Sequence, residues 1–113
     1  METLKFNKNW NGKLCCDHFT TLRLHNPDKF YKNAKFQTVT QTPSGVVRSF
    51  SQCVHVSTFL LDNIPEAIFL VDCGLRKEDA IQMIEQMYKY YKVDVHKVKW
   101  DIVVLKHIFP EKQ

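Results

Sequence analysis

The sequence predicts an α+β domain with a small, partly closed sheet and flanking helices. Three observations carry this. Several segments alternate apolar and polar residues with the period of a strand, while one longer segment repeats its apolar residues at helical spacing. Only three glycines and four prolines occur, so each interruption marks a boundary.

The elements follow in order. Leu4 and Phe6 alternate with polar neighbours and predict a first strand. "KNWNGKLCC" then reads as one or two helical turns that bury Trp10 and Leu14, with Gly12 as a break. In "HFTTLRL", a strand runs from Phe19 to Leu24. Alternation points Thr20, Leu22 and Leu24 one way, toward a core, and Thr21 and Arg23 the other. That second face sets a hydroxyl beside a guanidinium, with His18 just before the strand. It is either a solvated surface or the floor of a polar site.

"HNPDKF" is a loop by its Asn-Pro-Asp content. "KFQTVTQ" is a strand and "TPSG" a turn, and the chain returns from Val46 to Thr58 as one long or bent strand. Val46, Phe50, Val54 and Val56 share a face of it, interrupted by Arg48 and Gln52. Pro65 suits the first turn of a helix, capped by Asp62 or Asn63, and Gly74 suits the residue after its end. A second helix is predicted from Lys77 to Tyr91, burying the stripe Ala80, Ile81, Ile84, Met87, Tyr88 and Tyr91. The last strand covers 98–108 and turns Val98, Trp100, Ile102, Val104 and Ile108 to one side. Strands, a hairpin and two consecutive helices in this order make an α+β domain.

A length of 113 residues and a hydrophobic fraction of 44% suit one domain over residues 1–113, with a core that needs no staple. No run approaches the ~18 apolar residues of a membrane helix. "METLKFNKNW" lacks the apolar centre of a signal peptide. The expectation is a cytoplasmic domain with no membrane partner. Cysteines 15, 16, 53 and 73 form no C-x-x-C pair, which predicts reduced thiols, no metal and no cofactor. Residues 1–48 carry eight Lys/Arg against three Asp/Glu, whereas 49–113 carry eight against nine. The positive surplus therefore sits in the segment containing HFTTLRL. It favours an anionic partner, of which RNA or DNA is the commonest, although a surplus of this size also occurs in many other soluble proteins.

Four stretches together resemble the ASCH domain family of the PUA-like superfamily. "FNKNWNGKLCCDHFTTLRL" is similar to the family's short helix leading to a strand with lysine, then threonine three residues later, then arginine two residues after that. "FYKNAKFQTV" resembles its turn and next strand, "LDNIPEAIFLVDCG" its first long helix ending in an acid and a glycine, and "KVKWDIVVLKHI" its closing strand. The resemblance spans about residues 3–108 and rests on order and spacing. It implies a small mixed β-barrel of about five to six strands with two to three flanking helices, and a cleft at the barrel mouth lined by the Thr-x-Arg strand. It further implies RNA or modified-base binding, or, as in some members, amidohydrolysis of acetylated cytidine by a lysine, a threonine and a glutamate. By position the threonine is Thr21 and the arginine Arg23. His18 stands at the lysine, and Asp72 or Cys73 stands where the glutamate would be.

The candidate ligand-binding residues are thus Thr21, Arg23, Lys13, Lys35 and Arg48. Arg23 offers a planar donor fork, the lysines and Arg48 offer phosphate contacts, and Phe30 and Tyr31 offer rings for stacking. The blander readings are an Arg23 salt bridge with Asp17, Asp28 or Asp72, solvated lysines and a packed aromatic loop. The candidate catalytic set is His18 as base, Thr21 as nucleophile and Asp72 as orienting carboxylate, provided the fold brings them within hydrogen-bond reach. Three functions stay open: RNA or nucleotide binding, amidohydrolysis of an acylated nucleoside such as acetylcytidine, and protein interaction with a relic cleft.

Overall fold

A computed structural model describes residues 1–109. Five strands, β1 (Glu2–Phe6), β2 (His18–Leu24), β3 (Lys35–Thr42), β4 (Gly45–Leu60) and β5 (Lys99–Ile108), are joined by two helices, α1 (Glu66–Cys73) and α2 (Lys77–Met87). Short 3-10 turns occupy Trp10–Cys15 and Leu61–Asn63. The strands form one sheet in the order β1-β3-β4-β5-β2, with β1 parallel to β3 and every other pair antiparallel. The α+β expectation therefore stands, with a mixed five-stranded sheet and two helices. The sheet is not closed into a barrel: β1 and β2 remain its two edges.

Side chains rather than a strand ladder bring those edges together. Phe6 and Phe19 meet edge-to-face at 6.2 Å. Arg23 Nη2 donates to the Lys5 carbonyl across the same seam, at 2.9 Å.

Each face of the sheet carries its own core. One holds Leu4, Phe6, Phe19, Phe36, Cys53, Val103 and Leu105. The other packs Trp100 and Ile102 against Ile64, Phe69, Ala80 and Ile84 from the helical side. Consecutive β5 residues enter different cores, so β5 is buried on both faces and not, as its alternation suggested, on one. At about 1.5–3 kcal/mol per buried large apolar side chain, both faces must be covered for this strand to be stable.

β4 departs further from the sequence reading. Cys53 pairs with Leu105 and His55 with Val104, leaving Val54 as the extra residue of a β-bulge. Ser51 and Cys53 face one core before the bulge, and Val56 faces it after. The expected shared face of Val46, Phe50, Val54 and Val56 therefore does not exist, and Val46 is exposed.

The helices also shift. Pro65 precedes α1 directly and no side chain caps it, so neither Asp62 nor Asn63 is the cap. Gly74 adopts the left-handed conformation expected after a helix end (φ 74°, ψ 12°). α2 ends at Met87, four residues before the predicted Tyr91. Ala80 and Ile84 are buried, whereas Met87 and Tyr91 are exposed. In the first 3-10 turn Lys13 is buried, whereas Trp10 and Leu14 are only partly so. No helix among the described residues is long and apolar enough to cross a membrane.

Candidate ligand-binding cleft

Where the two sheet edges approach the helices, the molecule opens into a cleft of about 490 Å³. That size is typical of small-molecule sites. β1 and the segment after it contribute Lys5, Phe6, Asn7 and Trp10, and β2 contributes Thr21, Leu22 and Arg23. Val39 and Gln41 come from β3, and Phe69, Asp72 and Cys73 from α1. Met83, Ile84 and Met87 of α2, with Tyr88 and Trp100, complete a largely apolar wall. The cleft follows the free edge of β2, which is why side chains from both faces of that strand reach it.

Arg23 occupies its polar end. Nε donates to Thr21 Oγ1 at 2.9 Å, and the guanidinium lies over the Phe6 ring, 5.0 Å from its centroid. Both hydrogen-bond acceptors, Thr21 Oγ1 and the Lys5 carbonyl, are neutral. Among the described residues no carboxylate lies within ion-pair distance of Arg23, so the salt bridges with Asp17, Asp28 or Asp72 do not form. Burial pulls its pKa down, while Tyr88 and Asp72 oppose that shift from farther off. A guanidinium has five N–H donors and these two bonds use two of them.

Lys13 and Asp72, by contrast, are paired with each other. Lys13 Nζ, 8% exposed as a residue, meets Asp72 Oδ1 at 2.8 Å and also donates to the Thr20 carbonyl. Thr20 Oγ1 donates to the same Asp72 oxygen at 2.8 Å. His107 Nε2 donates to the Lys13 carbonyl at 3.0 Å, holding the 3-10 turn against β5. Lysine, threonine and carboxylate thus form one cluster at the cleft wall. Cys73 lies beside it, and its thiol pKa is raised by burial.

The expected residues divide accordingly. Thr21, Arg23, Lys13 and Asp72 all line the cleft. His18 does not: it is exposed, and alternation places it on the face of β2 opposite Thr21. The set His18, Thr21 and Asp72 is therefore not assembled, and Asp72 receives the hydroxyl of Thr20 instead. Lys35 and Arg48 are exposed on the β3–β4 hairpin, opposite Gln52 and Val39, outside the cleft. Phe30 is buried in the sheet core, and Tyr31 is exposed away from the cleft lining. Among the described residues no three His, Cys, Asp or Glu side chains group as metal ligands. Lys5, Trp10 and Tyr88 are among the cleft residues to which the sequence assigned no ligand role, because they come from segments far apart in the chain that meet only in the fold.

Comparison with protein-family models, curated proteins and solved structures found no match to this chain. The chemistry of the cleft is what bears on function.

Proposed function

We propose that the cleft binds RNA, or a nucleotide-like ligand within RNA, around Thr21 and Arg23. One observation carries this reading. A guanidinium partly withdrawn from water, with donors to spare and no carboxylate partner, sits at the polar end of an otherwise apolar cleft. Such a group is stabilised by an oxygen-bearing ligand, whether a phosphate or the edge of a base, that accepts two parallel N–H bonds. Thr21 Oγ1 already accepts from Arg23, so its proton is free to donate to a carbonyl. The Trp10 and Tyr88 rings provide walls for a planar base, and Lys5 adds positive charge. A PUA-like barrel with one open seam is the fold this proposal goes with.

The test is fluorescence anisotropy with short labelled RNA at two salt concentrations, for wild type and Arg23→Met. Affinity is expected to fall with salt, by a log–log slope of about −0.7 per phosphate contact. It should also fall at least tenfold in the variant, as expected for losing a charge-assisted bidentate contact, at roughly 1.4 kcal/mol per tenfold. A flat salt response, or equal binding by both proteins, would overturn the reading.

A second reading, amidohydrolysis of an acylated nucleoside such as acetylcytidine, is favoured by the cluster of Lys13, Thr20 and Asp72. A threonine hydroxyl bonded to a carboxylate beside a lysine has the components of a nucleophile and its proton carriers. It predicts turnover that Thr20→Val abolishes with the fold intact. Acetylcytidine left unchanged by the wild-type protein would rule this substrate out.

A further inference from the structure

The wall of the cleft continues outward as a row of rings. Trp100 is 2% exposed and packs edge-on against Tyr88, centroids 5.5 Å apart. Tyr88 in turn meets Tyr91 at 5.4 Å, and Tyr91 is 66% exposed. This row is held by backbone bonds: the Tyr88 N–H donates to the Ile84 carbonyl where α2 ends, and the Tyr91 N–H donates to the Tyr88 carbonyl. The turn therefore sets Tyr91 beside a cleft residue but outside the cleft. Lys89 and Lys92, both exposed, bracket the two tyrosines Tyr90 and Tyr91. Lys89 Nζ lies over the Tyr90 ring, 4.9 Å from its centroid, and among the described residues neither Lys89 nor Lys92 forms an ion pair.

We infer that Tyr91, with Lys89 and Lys92, is a stacking platform for the nucleotide adjoining the one in the cleft, so that the partner is single-stranded RNA and not a free nucleotide. The inference rests on the cleft reading above and extends it beyond the cleft. Its chemistry is general. An exposed ring accepts the face of any base, and flanking ammonium groups accept the phosphates on either side, whereas duplex RNA leaves no base face to stack. The continuity of Trp100, Tyr88 and Tyr91 supplies the direction in which the strand leaves the cleft.

The experiment compares two ligands on the full chain. A labelled single-stranded RNA octamer is followed by anisotropy, and the four ribonucleoside 5′-monophosphates by tryptophan fluorescence, since Trp10 and Trp100 line the cleft. Wild type is expected to bind the octamer more tightly than any monophosphate. Tyr91→Ala should weaken the octamer by roughly 5- to 100-fold, the range for losing one base stack, and leave monophosphate binding unchanged. Tyr91→Phe should restore octamer binding, because the ring and not the hydroxyl does the stacking. Arg23→Met should weaken both ligands. Octamer binding that Tyr91→Ala leaves intact would overturn the platform while the cleft reading survives. Equal weakening of octamer and monophosphate by Tyr91→Ala would overturn it as well, reducing Tyr91 to a support for Tyr88. If wild type binds neither ligand, the cleft reading falls and the platform with it.

Discussion

Arg23 and Asp101 stand opposite each other across the β2–β5 pair, yet they form no ion pair and their surroundings differ. Asp101 is fully buried and accepts three bonds: from Thr58 Oγ1 at 2.7 Å, from His25 Nδ1 at 2.8 Å and from the Asn26 backbone N–H at 3.0 Å. It ties β4, β5 and the loop after β2 together, and it does not line the cleft. Arg23 has two neutral acceptors, unused donors and a cleft in front of it. A buried charge held by three hydrogen bonds from its own chain serves the fold. One whose donors are left over, beside an opening, is a place for a ligand. The adjacency of the two shows that register alone does not decide which role a charge takes.

Substitutions can break this comparison. The largest loss should follow Asp101→Ala, which strands three donors and is expected to cost about 2–4 kcal/mol, read from urea denaturation. A cost below about 0.5 kcal/mol would remove the structural role assigned to that carboxylate. Lys13→Met should cost about 2 kcal/mol, less than a fully buried pair because both partners retain some exposure, with side chains 11% and 16% exposed. Adding Asp72→Asn should recover part of that loss, a coupling that a double-mutant cycle measures directly. Arg23→Met should change stability by less than about 1 kcal/mol, or raise it, since it removes a charge withdrawn from water without stranding a carboxylate. A marked destabilisation there would place Arg23 with Asp101 as a structural charge.

The smallest effect belongs to His96, which joins the loop before β5 to Asp62 and Glu85 and has its pKa raised by those two carboxylates, Asp62 first. A raised folded-state pKa means stabilisation present in full below the ordinary histidine value of 6.5 and lost as pH rises through the elevated value. The urea midpoint of wild type should therefore gain more, relative to His96→Gln, at pH 5.5 than at pH 8.5. Parallel midpoints at both pH values would leave the ion pairs of His96 without a contribution.

What could be read from the sequence was what is local. Alternation marks β2, β3 and β5, because each spends its length against a core, and Gly74 marks a helix end because its left-handed conformation suits glycine. Thr21 and Arg23 were visible as a pair because alternation alone puts residues two apart on one face. The remainder of the site joins distant segments. Lys13 meets Asp72 59 positions away, and Lys5 reaches Arg23 only because the two sheet edges curl together. His18 was placed with Thr21 by its spacing in a motif, although an odd separation along a strand sets the two on opposite faces. Tyr91 continued a helical stripe on paper, but the backbone turns after Met87 and lifts it outside the cleft. The burial of Asp101 gave no signal, since an acid between Trp100 and Ile102 reads as the exposed beat of a strand.

The bulge at Val54 gives β4 the character of two half-strands in antiphase. Odd-numbered residues face the core that holds Leu4 and Leu105 up to Cys53, and even-numbered ones do so from Val56 onward. The parity of the chain, and not only its composition, is thus part of what β4 encodes. Losing Val54 alone would merge the halves into one regular ladder with every neighbour keeping its face, whereas losing His55 as well would turn one half over. A chain that shared this fold without the bulge would carry its apolar positions one step out of phase beyond this point, and the two would look unrelated by pattern while building the same two cores.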